Sequence, residues 1–164
     1  MTLPAPAQIV ATTPFHGGKR GVTNGVVLHS TRGRSATVEE EFAATLGWFS
    51  DPISKVCSHV VIAFDGTIAG VVDPDLVAWH AGSPANETML GVELVQPYRG
   101  DSISAAQYRS LAWWLGQMSS RFGFPLDAAH LPEHRQIPEG IAEGKSDIGS
   151  PFDVSIVLAL VGGS

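Results

Sequence analysis

Two apolar segments near the middle of the chain are separated by a single turn signal, Asp65-Gly66. Residues 58–64 and 67–72 consist mostly of small and β-branched apolar side chains. An Asp-Gly pair tolerates the positive φ angles of the tight turn that joins two antiparallel strands. The sequence therefore predicts a β-hairpin over residues 58–72.

Strand signals also stand on either side of this hairpin. Val26, Val27 and Leu28 form a short apolar run that ends at His29. Such a run is typical of a buried central strand, which carries the following side chain to the edge of its sheet. Residues 91–95 form a similar run and predict a further strand.

Helix signals alternate with these strands. Thr37 and Glu40 have the spacing of a capping box and predict a helix over residues 37–50. Ser104 and Gln107 have the same spacing and precede apolar residues at helical intervals, so they predict a second helix. A third helix is predicted to start near residue 153. The second helix is defined by Ser104, Gln107, Tyr108, Leu111, Leu115, Met118, Phe122, Gly123 and Pro125. Together these elements predict an α/β fold with a mixed central β-sheet flanked by helices.

A chain of 164 residues is typical of a single domain. Residues 1–25 are rich in Pro, Gly, Thr and Ala without a sustained period, so we expect an irregular arm packed on the domain. Residues 26–164 then form the domain that carries the chemistry. We expect the protein to be a monomer.

Composition excludes several classes of function. With 10 Lys and Arg against 16 Asp and Glu, the formal net charge of −6 argues against nucleic-acid binding. The single cysteine, Cys57, excludes an internal disulfide. The first residues lack the basic and apolar regions of a secretory signal, so no signal peptide is expected. Residues 154–161 are apolar but shorter than the ~20 residues that span a bilayer, so no membrane role is expected.

Five ionisable residues spread along the chain together suggest a hydrolytic zinc site: His29, Glu93, His134, Lys145 and Asp147. Two imidazoles and one carboxylate leave the fourth position of a tetrahedral zinc ion open for water, as catalytic zinc sites require. The remaining glutamate and lysine are then available for catalysis. Lys145 and Asp147 stand two residues apart, so an extended backbone points both side chains the same way.

Several short motifs occur in an order and spacing that resemble a known family. They are Val-Leu-His-Ser at His29, Ser-His-Val-Val-Ile with Asp-Gly-Thr-Ile, Ala-Trp-His-Ala-Gly at His80, Asn86 before Gly-Val-Glu-Leu, and Lys-Ser-Asp before Pro-Phe-Asp. Over residues 22–155 the chain resembles the amidase-2 superfamily. This superfamily comprises zinc-dependent N-acetylmuramoyl-L-alanine amidases that share a fold with peptidoglycan recognition proteins.

The resemblance implies a role for each candidate residue. It makes residues 26–164 the amidase catalytic domain, with zinc as its cofactor. The implied zinc ligands are His29, His134 and Asp147, and the implied catalytic residues are Glu93 as acid and base and Lys145 as oxyanion stabiliser. The expected substrate-binding residues are His59, Trp79, His80 and Asn86.

Two assignments stay open at this point. The family's usual Gly-His-Arg-Asp is Glu-His-Arg-Gln in this chain, which leaves His130 as an alternative ligand to His134. Cys57 and His59 fall on one face of a strand, and a thiolate beside an imidazole is also a metal-binding pattern. The histidine that does not bind the metal can be an ordinary exposed side chain, and Cys57 can be an ordinary buried one.

The resemblance further implies the reaction and the partner. The expected reaction is hydrolysis of the amide between the lactyl group of N-acetylmuramic acid and L-alanine in peptidoglycan. The motif Ile-Pro-Glu-Gly and the absence of a signal peptide are similar to those of endolysin amidase domains from phages of mycobacteria and related actinobacteria. Such a protein is expected to be made in the host cytoplasm and to reach the wall after a holin opens the membrane. Two alternatives stay open: a module that binds muropeptide without cutting it, and a cytosolic amidase that recycles soluble muropeptides.

Overall fold

A computed structural model describes residues 3–163 of the chain. In chain order its elements are β1 (Gln8–Val10), β2 (His16–Lys19), β3 (Val26–Ser30), α1 (Val38–Ser50), β4 (Val60–Ile62), β5 (Ile68–Gly70), β6 (Leu76–Ala78), α2 (Ala85–Thr88), β7 (Leu90–Leu94), α3 (Ala105–Phe122), a 3₁₀ turn (His134–Gln136), α4 (Pro138–Ala142) and α5 (Val154–Gly162). This is the predicted α/β domain with a mixed sheet and flanking helices.

The main sheet has five strands in the order β1-β5-β4-β7-β3. Strands β4, β7 and β3 run parallel to one another, whereas β5 pairs antiparallel with β4. In the register of this sheet, Glu93 on β7 lies opposite His29 on β3 and Val61 on β4. The two candidate site residues therefore lie side by side near the carboxyl ends of parallel strands, where α/β sheets usually bind ligands.

The sheet separates two apolar layers. Alternate residues of β3, β4 and β7 pack on one face against α3, chiefly through Leu111 and Leu115, and against Val157 of α5. The opposite face packs against α1, through Phe49 and neighbouring side chains. Side chains alternate between the faces of a strand, so His29 and Glu93 point to the α1 face, away from the α3 layer.

The local signals in the sequence fold as predicted. Strands β4 and β5 form the hairpin, and Gly66 in its turn has a φ of 92°. Thr37 caps α1 by accepting a hydrogen bond from the backbone of Glu40. The capping box of Ser104 at the start of α3 is complete, and Gly123 ends that helix in the left-handed conformation.

Residues 1–25 were expected to form an irregular arm, and within the described part they contain two short strands. β1 extends the edge of the main sheet beside β5, and β2 pairs with β6 in a separate two-stranded sheet. Strands of three and four residues are too short to show periodicity in the sequence. Their hydrogen-bond partners are also distant in the chain, so no local signal marks them. The division of the chain at residue 26 stays a prediction. Among residues 3–163, no helix has the length and apolar character to span a bilayer.

Candidate active site

Three side chains from distant parts of the chain meet in one cluster: His29, His134 and Asp147. The Nδ1 atoms of the two histidines are 3.0 Å apart, and Asp147 Oδ2 lies 3.3 Å from His29 Nδ1 and 3.2 Å from His134 Nδ1. Ligand atoms of a tetrahedral zinc ion, with bonds of about 2.0–2.1 Å, are about 3.3 Å from one another. Within residues 3–163 this is the one group of His, Cys, Asp and Glu side chains arranged to hold a metal ion.

The path of residues 130–134 brings His134 to the cluster. Residues 130–132 run alongside β3. The backbone N–H of Val26 donates to the carbonyl of His130, and that of Leu28 donates to the carbonyl of Pro132, both at 2.9 Å. This places the 3₁₀ turn at the end of β3, next to His29. The ring of His130 points elsewhere, and its Nδ1 lies 2.7 Å from Asp127. Of the two histidines, the structure brings His134 and not His130 to the cluster.

The electrostatics of the cluster suit a metal ligand set. Burial alone would raise the pKa of Asp147, but contacts with His134 and His29 outweigh it and hold the pKa well below its usual range. Burial lowers the pKa of His29, despite the opposing effect of the aspartate. An ionised carboxylate beside a neutral imidazole is the protonation state in which these groups bind metals.

His80 lies directly behind His29. Its Nδ1 is 3.1 Å from His29 Nε2, and its Nε2 is 3.2 Å from the carbonyl of Met89. If the Nε2–H of His80 donates to that carbonyl, its Nδ1 accepts from His29 Nε2–H and leaves His29 Nδ1 free to bind a metal. Hydrogen bonds of this kind fix the ring and tautomer of metal-binding histidines. Asn86 Oδ1 in turn accepts the backbone N–H groups of His80 and Ala81, at 2.9 and 2.8 Å.

Two glycines make room for these histidines. Gly91 lies on β7, and a Cβ at this position would be 2.5 Å from His80 Cγ, so glycine leaves space for the His80 ring. A Cβ at Gly140 would overlap the carbonyl oxygen of His134 and lie 3.0 Å from its Cδ2. At Gly140 the close atoms belong to the backbone of His134 and cannot swing aside as a side chain does. At Gly91 they belong to the His80 ring, which is held by contacts of its Nδ1 and Nε2 with His29 and Met89, so both positions favour glycine.

Gly140→Ala is therefore expected to destabilise the protein by about 1–3 kcal/mol, the usual cost of overpacking, and to weaken metal binding through His134. Gly116→Ala is the matched control, because Gly116 lies inside α3 with nothing within 4 Å of an added Cβ. That control should stabilise the protein by roughly 0.5–1 kcal/mol. Chemical unfolding and zinc titration of both variants test this, and equal stabilisation by the two would contradict it.

Glu93 lies beside the cluster with its carboxylate facing an open pocket. Burial raises its pKa well above the usual value, the charges of Asp147 and Glu41 raise it further, and Arg32 and Lys145 oppose this shift. A carboxylate with a raised pKa in a cleft next to a metal-binding group is a typical general acid and base.

The raised pKa of Glu93 also predicts a pH-dependent stability. Below the unfolded value of 4.5 the carboxyl is protonated in both states, so Glu93→Gln changes little there. As pH rises above 4.5, ionisation favours the unfolded state, and the wild type loses stability relative to the variant. In metal-free protein we therefore expect Glu93→Gln to be more stable than the wild type at neutral pH. Thermal unfolding between pH 4 and pH 8 measures this, and a constant difference over that range would contradict it.

The cluster opens into a cavity of about 580 Å³. Its walls include His29, Glu93, His134, Lys145 and Asp147 together with residues of α1 and of the loop that precedes it. A neighbouring cavity of about 340 Å³ shares His80, His134 and Lys145 with it and extends past Trp79 and Asn86. The two cavities form one groove with the candidate site near its centre.

Several wall residues of the groove were missed by sequence reasoning, among them Trp48 and Glu41. Trp48 on α1 is 49% exposed, although its helix position gave no sign of a role. Glu41 is buried and accepts the backbone N–H groups of Gly33 and Ser35 at 2.8 and 3.2 Å, which holds this loop against α1. A buried acidic residue at a helix start reads in the sequence as an ordinary solvated charge, so only its partners reveal it.

The remaining predicted residues lie in different surroundings. Trp79 is 39% exposed on the groove, and Lys145 Nζ lies at its rim, 3.1 Å from Glu143. His59 is fully buried, with Nδ1 accepting from the backbone of Gly91 and Nε2 close to the carbonyl of Leu76, and burial lowers its pKa to about 3. The structure does not bring His59 to the wall of the groove.

Cys57 lies apart from the metal-binding group. Its Sγ contacts the carbonyl of Phe15 at 2.6 Å and accepts the backbone N–H of Trp79 at 3.3 Å. Burial raises the pKa of the thiol to about 11. Because this thiol donates to a carbonyl and lies outside the metal-binding group, we read it as a packing group.

Fold and site together define a class of protein: an α/β domain with a metal-binding group of two histidines and one aspartate beside a partly buried glutamate. The model of the family Amidase_2, N-acetylmuramoyl-L-alanine amidase, matches residues 19–150. The chain belongs to this family and is an N-acetylmuramoyl-L-alanine amidase, as the motifs implied. A comparison with curated proteins gives no match.

Solved structures share the fold over nearly the whole chain. An AmpD derivative is 24% identical with a TM-score of 0.76, covering 97% of this chain and 96% of that one. The hydrolase AmiA from Staphylococcus aureus is 18% identical with a TM-score of 0.69, covering 97% and 83%. The endolysin amidase LysCS from Clostridium intestinale is 17% identical with a TM-score of 0.68, covering 98% of each chain.

Proposed function

We propose that this protein uses zinc to hydrolyse the amide between the lactyl group of N-acetylmuramic acid and the L-alanine of the peptidoglycan stem peptide. The observation that carries the proposal is the convergence of three ligand atoms, 3.0–3.3 Å apart, beside the carboxylate of Glu93 in an open groove. Zinc bound by His29, His134 and Asp147 would lower the pKa of water to about 7 and polarise the amide carbonyl.

Glu93 is proposed to move the proton. Its carboxylate accepts a proton from the attacking water and returns it to the alanine nitrogen as that nitrogen leaves. The raised pKa supports this, because a general acid and base works best when its pKa lies near the working pH.

Lys145 is proposed to stabilise the negative charge that develops on the carbonyl oxygen. Its Nζ pairs with Glu143 at 3.1 Å, and both side chains are about half exposed, at 41% and 55%. Exposed pairs of this kind are worth about 0–1 kcal/mol, so little holds the ammonium group away from a bound substrate. Lys145 lines both parts of the groove, so the proposal places its ammonium group beside the oxyanion.

The groove is proposed to bind the muramyl peptide on both sides of the scissile amide. Its larger part, about 580 Å³, has the volume of a small-molecule site. Trp79 and His80 line the extension, where an aromatic face and polar groups suit a sugar or a peptide. Asn86 serves the substrate indirectly in this proposal, by holding the backbone at His80. For His59 the proposal is likewise indirect, through its bond to Gly91.

We propose an endolysin role, in which the protein reaches the wall from the host cytoplasm after a holin opens the membrane. The similarity of fold to LysCS supports this role. A cytosolic recycling amidase that acts on soluble muropeptides is the second candidate, since the TM-score of 0.76 to the AmpD derivative exceeds the 0.68 to LysCS. A monomer is proposed for either role.

The proposal is tested by incubating zinc-loaded protein with purified peptidoglycan and, separately, with soluble muropeptides. The expected product is new N-terminal alanine without new reducing sugar ends, and none should form after chelation. Cleavage of intact wall supports the endolysin role, whereas cleavage of soluble fragments alone supports recycling. Binding of both zinc and wall without any cleavage would replace the amidase proposal by a recognition module.

A further inference from the structure

Arg32 connects the end of β3 to the segment that carries Asp147. Its Nη1 donates to Ser146 Oγ at 2.8 Å, and its Nη2 donates to the carbonyls of Ser146, at 2.9 Å, and of Ile148. Its Nε donates to Ser30 Oγ at 3.1 Å. One guanidinium group therefore holds the backbone on both sides of the aspartate and anchors it to β3, which also carries His29.

The segment 145–149 depends on such contacts because it lies outside the helices and strands. The backbone N–H of Lys145 donates to the carbonyl of Gly140 at 2.8 Å. Nearer the aspartate, the backbone N–H of Arg135 donates to the carbonyl of Asp147 at 2.8 Å, and the carboxylate of Glu133 accepts from Gly149 at 2.9 Å. These two contacts come from the side of His134. The bonds from Arg32 are those that fix the segment from the side of β3.

The backbone of Arg32 supports a special role for its side chain. Its φ of 52° lies in the left-handed region, which residues with a Cβ seldom adopt. Such strain persists only where the surroundings enforce it, and it is often found at functional sites. Arg32 is not one of the residues that line the groove. Apart from its charge, which lowers the pKa of Glu93, it acts on the site through the residues it holds.

We propose that Arg32 is a positioning residue whose guanidinium fixes residues 146–148 so that the carboxylate of Asp147 meets His29 and His134. The inference rests on the proposed function, in which these three side chains bind zinc. A lysine cannot replace the arginine fully, because only a planar guanidinium carries donors for several acceptors in a fixed fork.

The test compares wild type with Arg32→Gln, Arg32→Lys and Arg121→Gln. Zinc affinity is measured by competition with a coloured chelator, and thermal unfolding of the metal-free proteins is measured alongside. Zinc binding by Arg32→Gln should be about 10- to 100-fold weaker, the usual effect of removing a group that orients a metal ligand. Arg121 pairs with Asp75 at 2.7 Å on the exposed surface, so Arg121→Gln should bind zinc as the wild type does.

A second readout separates positioning from a general loss of structure. Excess zinc should restore most of the hydrolysis by Arg32→Gln, with KM unchanged, because the catalytic groups themselves are intact. If Arg32→Gln does not fold, Arg32→Lys carries the test, with a smaller but measurable loss of zinc affinity. If the Arg32 variant that folds binds zinc as tightly as the wild type, the inference about Arg32 is overturned, but the proposed function is not. Failure of the wild type to bind zinc would overturn the proposed function, and the inference with it.

Discussion

Glu93→Gln is expected to reduce amide hydrolysis by about 10²- to 10⁴-fold while the protein still binds zinc. The amide keeps the size and shape of the carboxylate but cannot accept a proton from the attacking water. Glu93 lies next to the candidate ligand His29 in the sheet and faces the groove, so no other change in the site is needed to explain the loss. The rate of alanine release and the zinc content of the same samples measure the two effects.

The matched control for this variant is Glu39→Gln. Glu39 is an exposed glutamate in the first turn of α1 and lies outside the groove, so its replacement should leave hydrolysis unchanged. Nearly full activity of Glu93→Gln would contradict the proposed role and direct the search for the proton carrier to Lys145. Loss of zinc together with activity would mean that Glu93 supports the metal site instead.

His134→Ala and His130→Ala are expected to differ completely in zinc binding. His134 supplies one of three converging ligand atoms, so its removal should weaken zinc binding more than the 10- to 100-fold typical of groups that only orient a ligand, and should abolish hydrolysis. His130→Ala should keep both properties, because the ring of His130 pairs with the carboxylate of Asp127 and not with the cluster, and the backbone carbonyl of residue 130 still pairs with Val26.

Thermal unfolding gives an independent measure of the same site. Zinc at about 100 times its Kd should stabilise the wild type and His130→Ala by about 2.7 kcal/mol, and a chelator should remove this gain. His134→Ala should show no stabilisation at the same concentration. If zinc stabilises His134→Ala, or fails to stabilise His130→Ala, the assignment of His134 as the metal ligand is contradicted.

Several elements could be predicted because their signals are local. The hairpin around Gly66, the caps of Thr37 and Ser104 and the end of α3 at Gly123 each depend on neighbouring residues alone. The short strands in residues 1–25 gave no such signal, because β1 and β2 are held by partners about sixty residues further along the chain.

The candidate site was predictable only in part. Residue types and motif order indicated Glu93 and the ligand set, but they left His130 and His134 as alternatives. The structure brings His134 to the cluster because the chain after His130 runs alongside β3. It also shows that His80 lines the groove directly behind a candidate ligand, whereas His59, for which the sequence suggested substrate binding as well, is fully buried away from the groove.

The sequence by itself determined the main strands and helices, their order and the chemical groups available for catalysis. Local propensity, capping and alternation act over a few residues, so they can be read without knowing the fold. Only the tertiary structure decided which groups meet, since His29 and His134 are 105 residues apart. His134 reaches His29 because residues 130–132 run alongside β3, whereas Glu93 reaches it through the register of β7 with β3. A shift of one residue in that register would turn His29 or Glu93 to the opposite face of the sheet, because side chains alternate along a strand.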